Sequence, residues 1–259
     1  MRYIFICVLV LLFACTMNGQ SAFKGAYDKK EFQASDGSSL LYNIYIPDGL
    51  EAGVRLPLFI FLHGSGERGS DNQSQLKHVA HRFDQEDFQS KFPSIVIVPQ
   101  CPSGGYWAPI DRSHGDWRPS VALGPMPSME RLIELLEVMR DYPQVDLNRI
   151  YLAGLSMGGF GTYDLLSRHA NWFAGAVGIC AGADLSRVEN FKHVPLQIFH
   201  GTKDKVVPVD LSRTLFDKLR DLGSAVEYTE YPDGDHFVWD QAFEGEKVLK
   251  WLFSQDKSK

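Results

Sequence analysis

The chain has 259 residues, of which 44% are hydrophobic, 12% aromatic and 22% charged, and 26 Lys and Arg against 32 Asp and Glu give a net charge of −6. The aromatic content excludes a disordered chain, and one apolar run of moderate length, Ile4 to Ala14, excludes a multi-span membrane protein. An acidic balance provides no electrostatic footprint for nucleic acid, and the length suits one large α/β domain or two small ones.

The first predicted element is an address. Arg2 is followed by the almost wholly apolar stretch Tyr3 to Phe13, the pattern of a secretory signal core. It ends Leu12-Phe13-Ala14-Cys15, which resembles the bacterial lipobox, in which cleavage precedes a lipid-bearing cysteine. A plain signal peptide cut nearby, or an anchor helix, stays open as an alternative. On the lipoprotein reading residues 1–14 are removed, Cys15 is lipidated, and residues 15–30, small and polar, are a tether. The protein is then exported, periplasmic or anchored at the outer membrane, and touches membrane only through that lipid. Cys7 leaves with the signal. Cys101 and Cys180 remain, and no Cys-x-x-Cys spacing suggests structural zinc.

From residue 31 to 259 strands and helices alternate. Glu31–Ser35 and Leu40–Ile46 read as strands joined by a turn at Asp36-Gly37. Leu56–Leu62 and Ser94–Val98 are continuous apolar runs, the mark of buried strands. Met129–Met139 spaces its apolar residues as a helix does, with Ser128 as the expected N-cap. Strands at Arg149–Leu155, Ala174–Ile179, Pro195–Phe199 and Ala225–Tyr231 then alternate with helices at Gly158–His169, Asp210–Leu222 and Gln241–Phe253. This order predicts one α/β domain, a mostly parallel sheet with helices on both faces and an antiparallel edge.

The chemistry sits where strands end. Gly154-Leu155-Ser156-Met157-Gly158-Gly159 follows a strand and opens a helix, the context of a G-x-S-x-G nucleophile elbow. A strand that reverses sharply into a helix leaves no room for side chains two residues either side of the serine, and it lifts the hydroxyl to a helix N-terminus, where a developing anion is favoured. The strand before it in this scheme is matched by two later ones. His200-Gly201-Thr202-Lys203-Asp204 follows the strand Pro195–Phe199, and Asp233-Gly234-Asp235-His236-Phe237 follows the last strand. The chain order Ser156, Asp204, His236 lets His236 take the serine proton while Asp204 holds the imidazole. No cofactor is implied.

Three stretches, Phe61-Leu62-His63-Gly64-Ser65-Gly66-Glu67-Arg68-Gly69, Val98-Pro99-Gln100-Cys101-Pro102 and Gly154 to Gly159, resemble the α/β-hydrolases. Within that fold they resemble the secreted bacterial esterases near the feruloyl and acetylxylan esterases and the polyhydroxybutyrate depolymerase-like group, with the prolyl oligopeptidase catalytic domain a more distant relative. The resemblance implies an oxyanion hole built from the backbone N–H groups of Ser65 and Met157. It also implies that the strands bearing Cys101 and Cys180 stand three steps apart, so these thiols form no disulfide.

Other residues compete for roles. Asp184 follows a strand where some hydrolases place their acid, but the sequence around Asp204 matches better. Asp233 and Asp235 read as turn formers, and His63 and His200 as structural hydrogen-bonding residues. His78 and His81 read as a solvated helix face rather than a metal pair, and no metal site is expected. Glu67 and Arg68 are expected to brace the oxyanion loop through ion pairs. The glycines beside them lack the Gly-Lys-Ser/Thr of a nucleotide loop. In the long loop 101–127, Trp107 is a candidate for stacking on substrate, whereas Tyr106 and Trp117 are expected to pin the loop. The short link 182–194 leaves no room for a sizeable cap. The expected activity is a serine ester hydrolase whose partner is an ester substrate, carbohydrate-linked through an acetyl or feruloyl group. A prolyl oligopeptidase-like peptidase and a non-catalytic glycan-binding lipoprotein are the alternatives.

Overall fold

A computed structural model describes residues 27–51, 53–111 and 117–259. The signal segment, Cys15 and the tether as far as residue 26 lie outside the described residues.

Eight strands form one sheet: β1 (Asp28–Gln33), β2 (Ser39–Tyr45), β3 (Leu56–Leu62), β4 (Ile95–Gln100), β5 (Val145–Leu155), β6 (Gly175–Ile179), β7 (Leu196–Gly201) and β8 (Val226–Tyr231). Their spatial order is β1-β2-β4-β3-β5-β6-β7-β8. From β4 onwards every neighbouring pair is parallel, while β2 runs antiparallel to both β1 and β4. The helices are α1 (Glu86–Gln89), α2 (Pro127–Arg140), α3 (Met157–His169), α4 (Asp210–Asp221), α5 (Trp239–Ala242) and α6 (Lys247–Ser254).

The central strands are apolar on both faces, so each face needs its own layer of helices. In β3, Leu58, Ile60 and Leu62 join one core with Leu132 and Leu136 of α2, Phe160 and Leu165 of α3 and Leu215 of α4. Phe59 and Phe61 point the other way, into a second core with Phe83, Phe88 and Leu249 and Leu252 of α6. This two-residue alternation is the pleat of the strand, and each such fully buried side chain contributes roughly 1.5–3 kcal/mol.

Of the boundaries that differ from expectation, three have a local reason. β1 starts at Asp28, inside the expected tether, because the Tyr27 N–H and hydroxyl bind the Asp84 carboxylate and the Ala80 carbonyl at 3.2 and 2.9 Å. α2 starts at Pro127 rather than after a Ser128 cap, since proline at the first helical position has the right φ and no N–H to satisfy. The closing helix is two pieces, α5 and α6, because Gly245 and Glu246 take φ of 65° and 62° between them. The link from β6 to β7 contains only a short 3-10 turn at Val188–Phe191, so no cap covers that edge. Cys101 directly follows β4 and Cys180 directly follows β6, with β3 and β5 between these strands, and both are buried free thiols.

Candidate active site

Parallel strands place all their C-terminal ends on one edge, so the residues after β3, β5, β7 and β8 converge there. Ser156 stands at the turn from β5 into α3 with φ 52° and ψ −121°, a conformation that a residue with a side chain adopts only when its surroundings enforce it. The enforcement is visible on both sides. A Cβ on Gly154 would overlap the Gly158 carbonyl, and one on Gly158 would overlap the Leu62 carbonyl. The Ser156 N–H is fastened to the Ile179 carbonyl at 2.8 Å.

His236 Nε2 lies 2.9 Å from Ser156 Oγ, and His236 Nδ1 lies 2.7 Å from Asp204 Oδ2. Asp204 is reached from four sides. Its Oδ1 accepts the N–H groups of Val206 and Val207 at 2.8 and 2.9 Å, and its Oδ2 lies 3.1 Å from His200 Nε2. Burial alone would raise this carboxyl, but the hydrogen bonds from His200, His236, Val207 and Val206 outweigh it and hold the group well below the usual carboxylate range. It is therefore a fixed anion aimed at His236. With His236 Nδ1 turned to this carboxylate as donor, Nε2 is the nitrogen placed to accept the serine proton.

His200, fully buried, is the structural residue expected, and its structural task is the acid loop: Nδ1 is 2.7 Å from Ser212 Oγ and Nε2 is 3.1 Å from the Val207 carbonyl. His63 does the same on the other side of the serine. Its Nδ1–H donates to the Gly64 carbonyl at 2.6 Å, and its Nε2 accepts the Cys101 N–H at 2.9 Å. Burial pushes this ring down to about 4, which keeps Nε2 an acceptor. Asp184 instead closes a local turn, accepting from the Ser186 N–H and hydroxyl at 2.9 and 2.6 Å, so the acid on His236 is Asp204. Asp235 likewise accepts the Phe237 N–H at 2.8 Å, and Asp233 takes φ 63° in its turn.

Trp107 does not stack on substrate. It is fully buried beneath its loop, edge-on to His63 at 5.5 Å and with its Cβ against Gly161. Trp117, stacked on Phe160 at 5.6 Å, and Tyr106, under the Arg68 guanidinium at 5.0 Å, pin the same loop. Arg68 braces the loop after β3 as expected, but through carbonyls rather than an ion pair: it donates to Ser65 at 2.9 Å and to Gly105 at 3.2 Å. Its neighbour Glu67 turns inward to His78 Nε2 at 3.2 Å. His78 is thus no part of a solvated helix face; it has φ 60° and packs edge-on to Trp239, which in turn stands perpendicular to the His236 ring at 5.6 Å.

Two neighbours of the site escaped the sequence reading. Trp239 is three residues beyond His236, and the run His236-Phe237-Val238-Trp239 carries the signal for it. Cys180 has no such signal, because only the sheet order brings the end of β6 beside β7. Its thiol lies 3.5 Å from the His236 carbonyl. Cys180, Asp204 and His236 offer ligand atoms within 4.8 Å of one another. Both oxygens of Asp204 and both nitrogens of His236 are committed to the bonds above, and burial beside Asp204 pushes the thiol far up, so a proton relay fits this donor set better than a metal centre.

The model of the phospholipase/carboxylesterase family matches residues 54–252. Among solved structures, a thermostable esterase superposes with a TM-score of 0.79 at 33% identity over 89% of this chain and 63% of its own. A ferulic acid esterase superposes with a TM-score of 0.64 at 16% identity over 88% of this chain and 97% of its own, a likeness of fold. A bifunctional acetylxylan esterase/xylanase from Neocallimastix patriciarum is 24% identical over 212 residues, 80% of this chain and 28% of that protein. This chain thus spans less than two thirds of both the thermostable esterase and the bifunctional enzyme. The eight-stranded sheet with helices on both faces and no cap is the α/β-hydrolase fold.

Proposed function

This chain belongs to the phospholipase/carboxylesterase family, and from that premise we propose that it hydrolyses carboxylic esters through an acyl-Ser156 intermediate, with acyl esters of carbohydrates as its substrates. The observation that carries the first part is the continuous relay Ser156 Oγ, His236, Asp204 at 2.9 and 2.7 Å. As Ser156 Oγ attacks the ester carbonyl, its proton passes to His236 Nε2 and the new imidazolium is held by Asp204. The carbonyl oxygen becomes an oxyanion, for which the N–H groups of Ser65 and Met157 are the donors on this reading. Two features support that assignment. Met157 opens α3, where the first N–H groups have no intrahelical acceptor. His63 holds the Gly64 carbonyl, so the N–H of the same planar trans peptide, which is that of Ser65, points the opposite way. His236 then returns its proton to the alcohol oxygen as the C–O bond breaks. Water, activated by the same nitrogen, attacks the acyl-enzyme, and the carboxylic acid leaves with Ser156 regenerated.

The carbohydrate part is supported by the similarity to an acetylxylan esterase/xylanase and by an uncapped edge that admits a polymer chain. The reading extends to export through the N-terminal signal with Cys15 lipidated, which mass analysis of the mature N-terminus would test. Parallel kinetics on an aryl acetate, methyl ferulate, an acetylated xylo-oligosaccharide and a chromogenic prolyl peptide test the activity. The acetylated or feruloylated substrate should show the highest kcat/KM. Faster cleavage of the peptide than of every ester would overturn the esterase reading, and turnover of the aryl acetate alone would remove the carbohydrate assignment.

A further inference from the structure

Among the described residues Phe237 is the only phenylalanine, tyrosine or tryptophan that is exposed, at 62%, and it directly follows the catalytic histidine. In the loop after β4, Trp107 and Trp117 are buried and Tyr106 is half-buried under the Arg68 guanidinium. Phe237 is exposed yet held. Its N–H is tied to Asp235 Oδ1 at 2.8 Å, and its ring stands edge-on to Trp239 at 4.9 Å and to His236 at 5.8 Å. Trp239 is itself buried and wedged between His236 and His78. An aromatic ring fixed in this way meets a ligand at little cost in conformational entropy.

The chemistry of the relay says which half of the ester it meets. During acylation His236 Nε2 must hand a proton to the leaving oxygen, so that oxygen lies within hydrogen-bond reach of Nε2. The carbonyl oxygen faces the opposite way, toward the Ser65 and Met157 N–H groups. The alcohol moiety therefore continues outward past the neighbours of His236, among which Phe237 is the exposed aromatic one. Resting on the carbohydrate-ester reading above, we propose that Phe237 is the platform on which the sugar ring of the alcohol half stacks through its C–H face, and so sets the preference for the alcohol rather than the acyl group.

The test holds the acyl group constant and varies the alcohol, then changes the acyl group on a small alkyl alcohol. For the wild type, Phe237→Ala and Phe237→Tyr, kcat/KM is measured on an acetylated xylo-oligosaccharide, ethyl acetate and methyl ferulate, with thermal unfolding as a fold control. In Phe237→Ala the ratio of sugar acetate to ethyl acetate should fall roughly tenfold, mainly through KM, and Phe237→Tyr should restore it. The ratio of ferulate to ethyl acetate should not move with it. An equal loss on all three esters would mean that the ring only shields His236, and a loss confined to the ferulate would place it on the acyl side. Either result overturns the proposal, as does an unchanged sugar preference. A wild type with no preference for the sugar acetate over ethyl acetate would refute the carbohydrate reading itself, and this inference with it.

Discussion

Acidification should loosen this protein through His63, before the carboxylate of Asp204, held well below the usual range, is protonated. The buried ring donates through Nδ1 to Gly64 and accepts the Cys101 N–H at Nε2, so a proton on Nε2 would destroy that second bond and leave a buried charge facing an N–H. Its affinity for a proton falls from an ordinary value of 6.5 to about 4. Between those values the unfolded chain binds a proton that the native protein does not. The stabilisation is therefore complete above pH 6.5, is lost as the pH falls toward 4, and decreases no further below that. At about 1.4 kcal/mol per unit the difference amounts to about 3 kcal/mol. For a domain of this size that is a fall in Tm of roughly 6–12 °C. The assay is urea unfolding of the wild type and His63→Gln at intervals from pH 7.5 to 4. Glutamine can donate and accept in place of the ring but does not titrate, and contributions of all other groups cancel in the difference. The wild type should lose about 3 kcal/mol more than the variant across this range. Parallel curves would refute the assignment of His63 as a neutral acceptor.

Ser156→Ala and Ser156→Gly should both be inactive and folded, with the glycine variant more stable by up to about 2 kcal/mol, because only glycine relieves the φ of 52°; equal Tm values would mean that the elbow stores no strain. Asp204→Asn should lower kcat by several powers of ten, whereas Asp184→Asn should leave it within about twofold, and a fully active Asp204→Asn would transfer the acid to another residue. Cys101, whose thiol burial pushes up to about 11, and Cys180, raised further, should resist alkylation at pH 8 in the native protein and both react once it is unfolded. Peptide mass analysis of these two positions checks this, and a Cys101–Cys180 crosslink would contradict the strand order.

Much of the site is legible from the chain because its parts are local and chemically constrained. The elbow needs glycine at 154 for a steric reason within one turn, the Gly158 carbonyl, although the clash that excludes a side chain at 158 comes from Leu62 on the neighbouring strand. The acid and the base each follow a strand, so alternating apolar runs and turn residues are enough to place Ser156, Asp204 and His236 on one edge of a parallel sheet. The spacing of apolar residues also predicts two helical layers, since β3 is apolar at every position and a strand presents alternate residues to opposite faces. What the chain alone leaves undecided depends on contacts between segments far apart in sequence. Trp107 and Phe237 are both aromatic residues on loops beside the site, and nothing local distinguishes them. Packing does: the Trp107 side chain fills the space above Gly161, while Phe237 touches Trp239 and stays mostly exposed. The proximity of Cys180 to His236 is likewise a product of strand order. Periodicity reports which face of an element is buried; only the assembled sheet determines what each face is buried against.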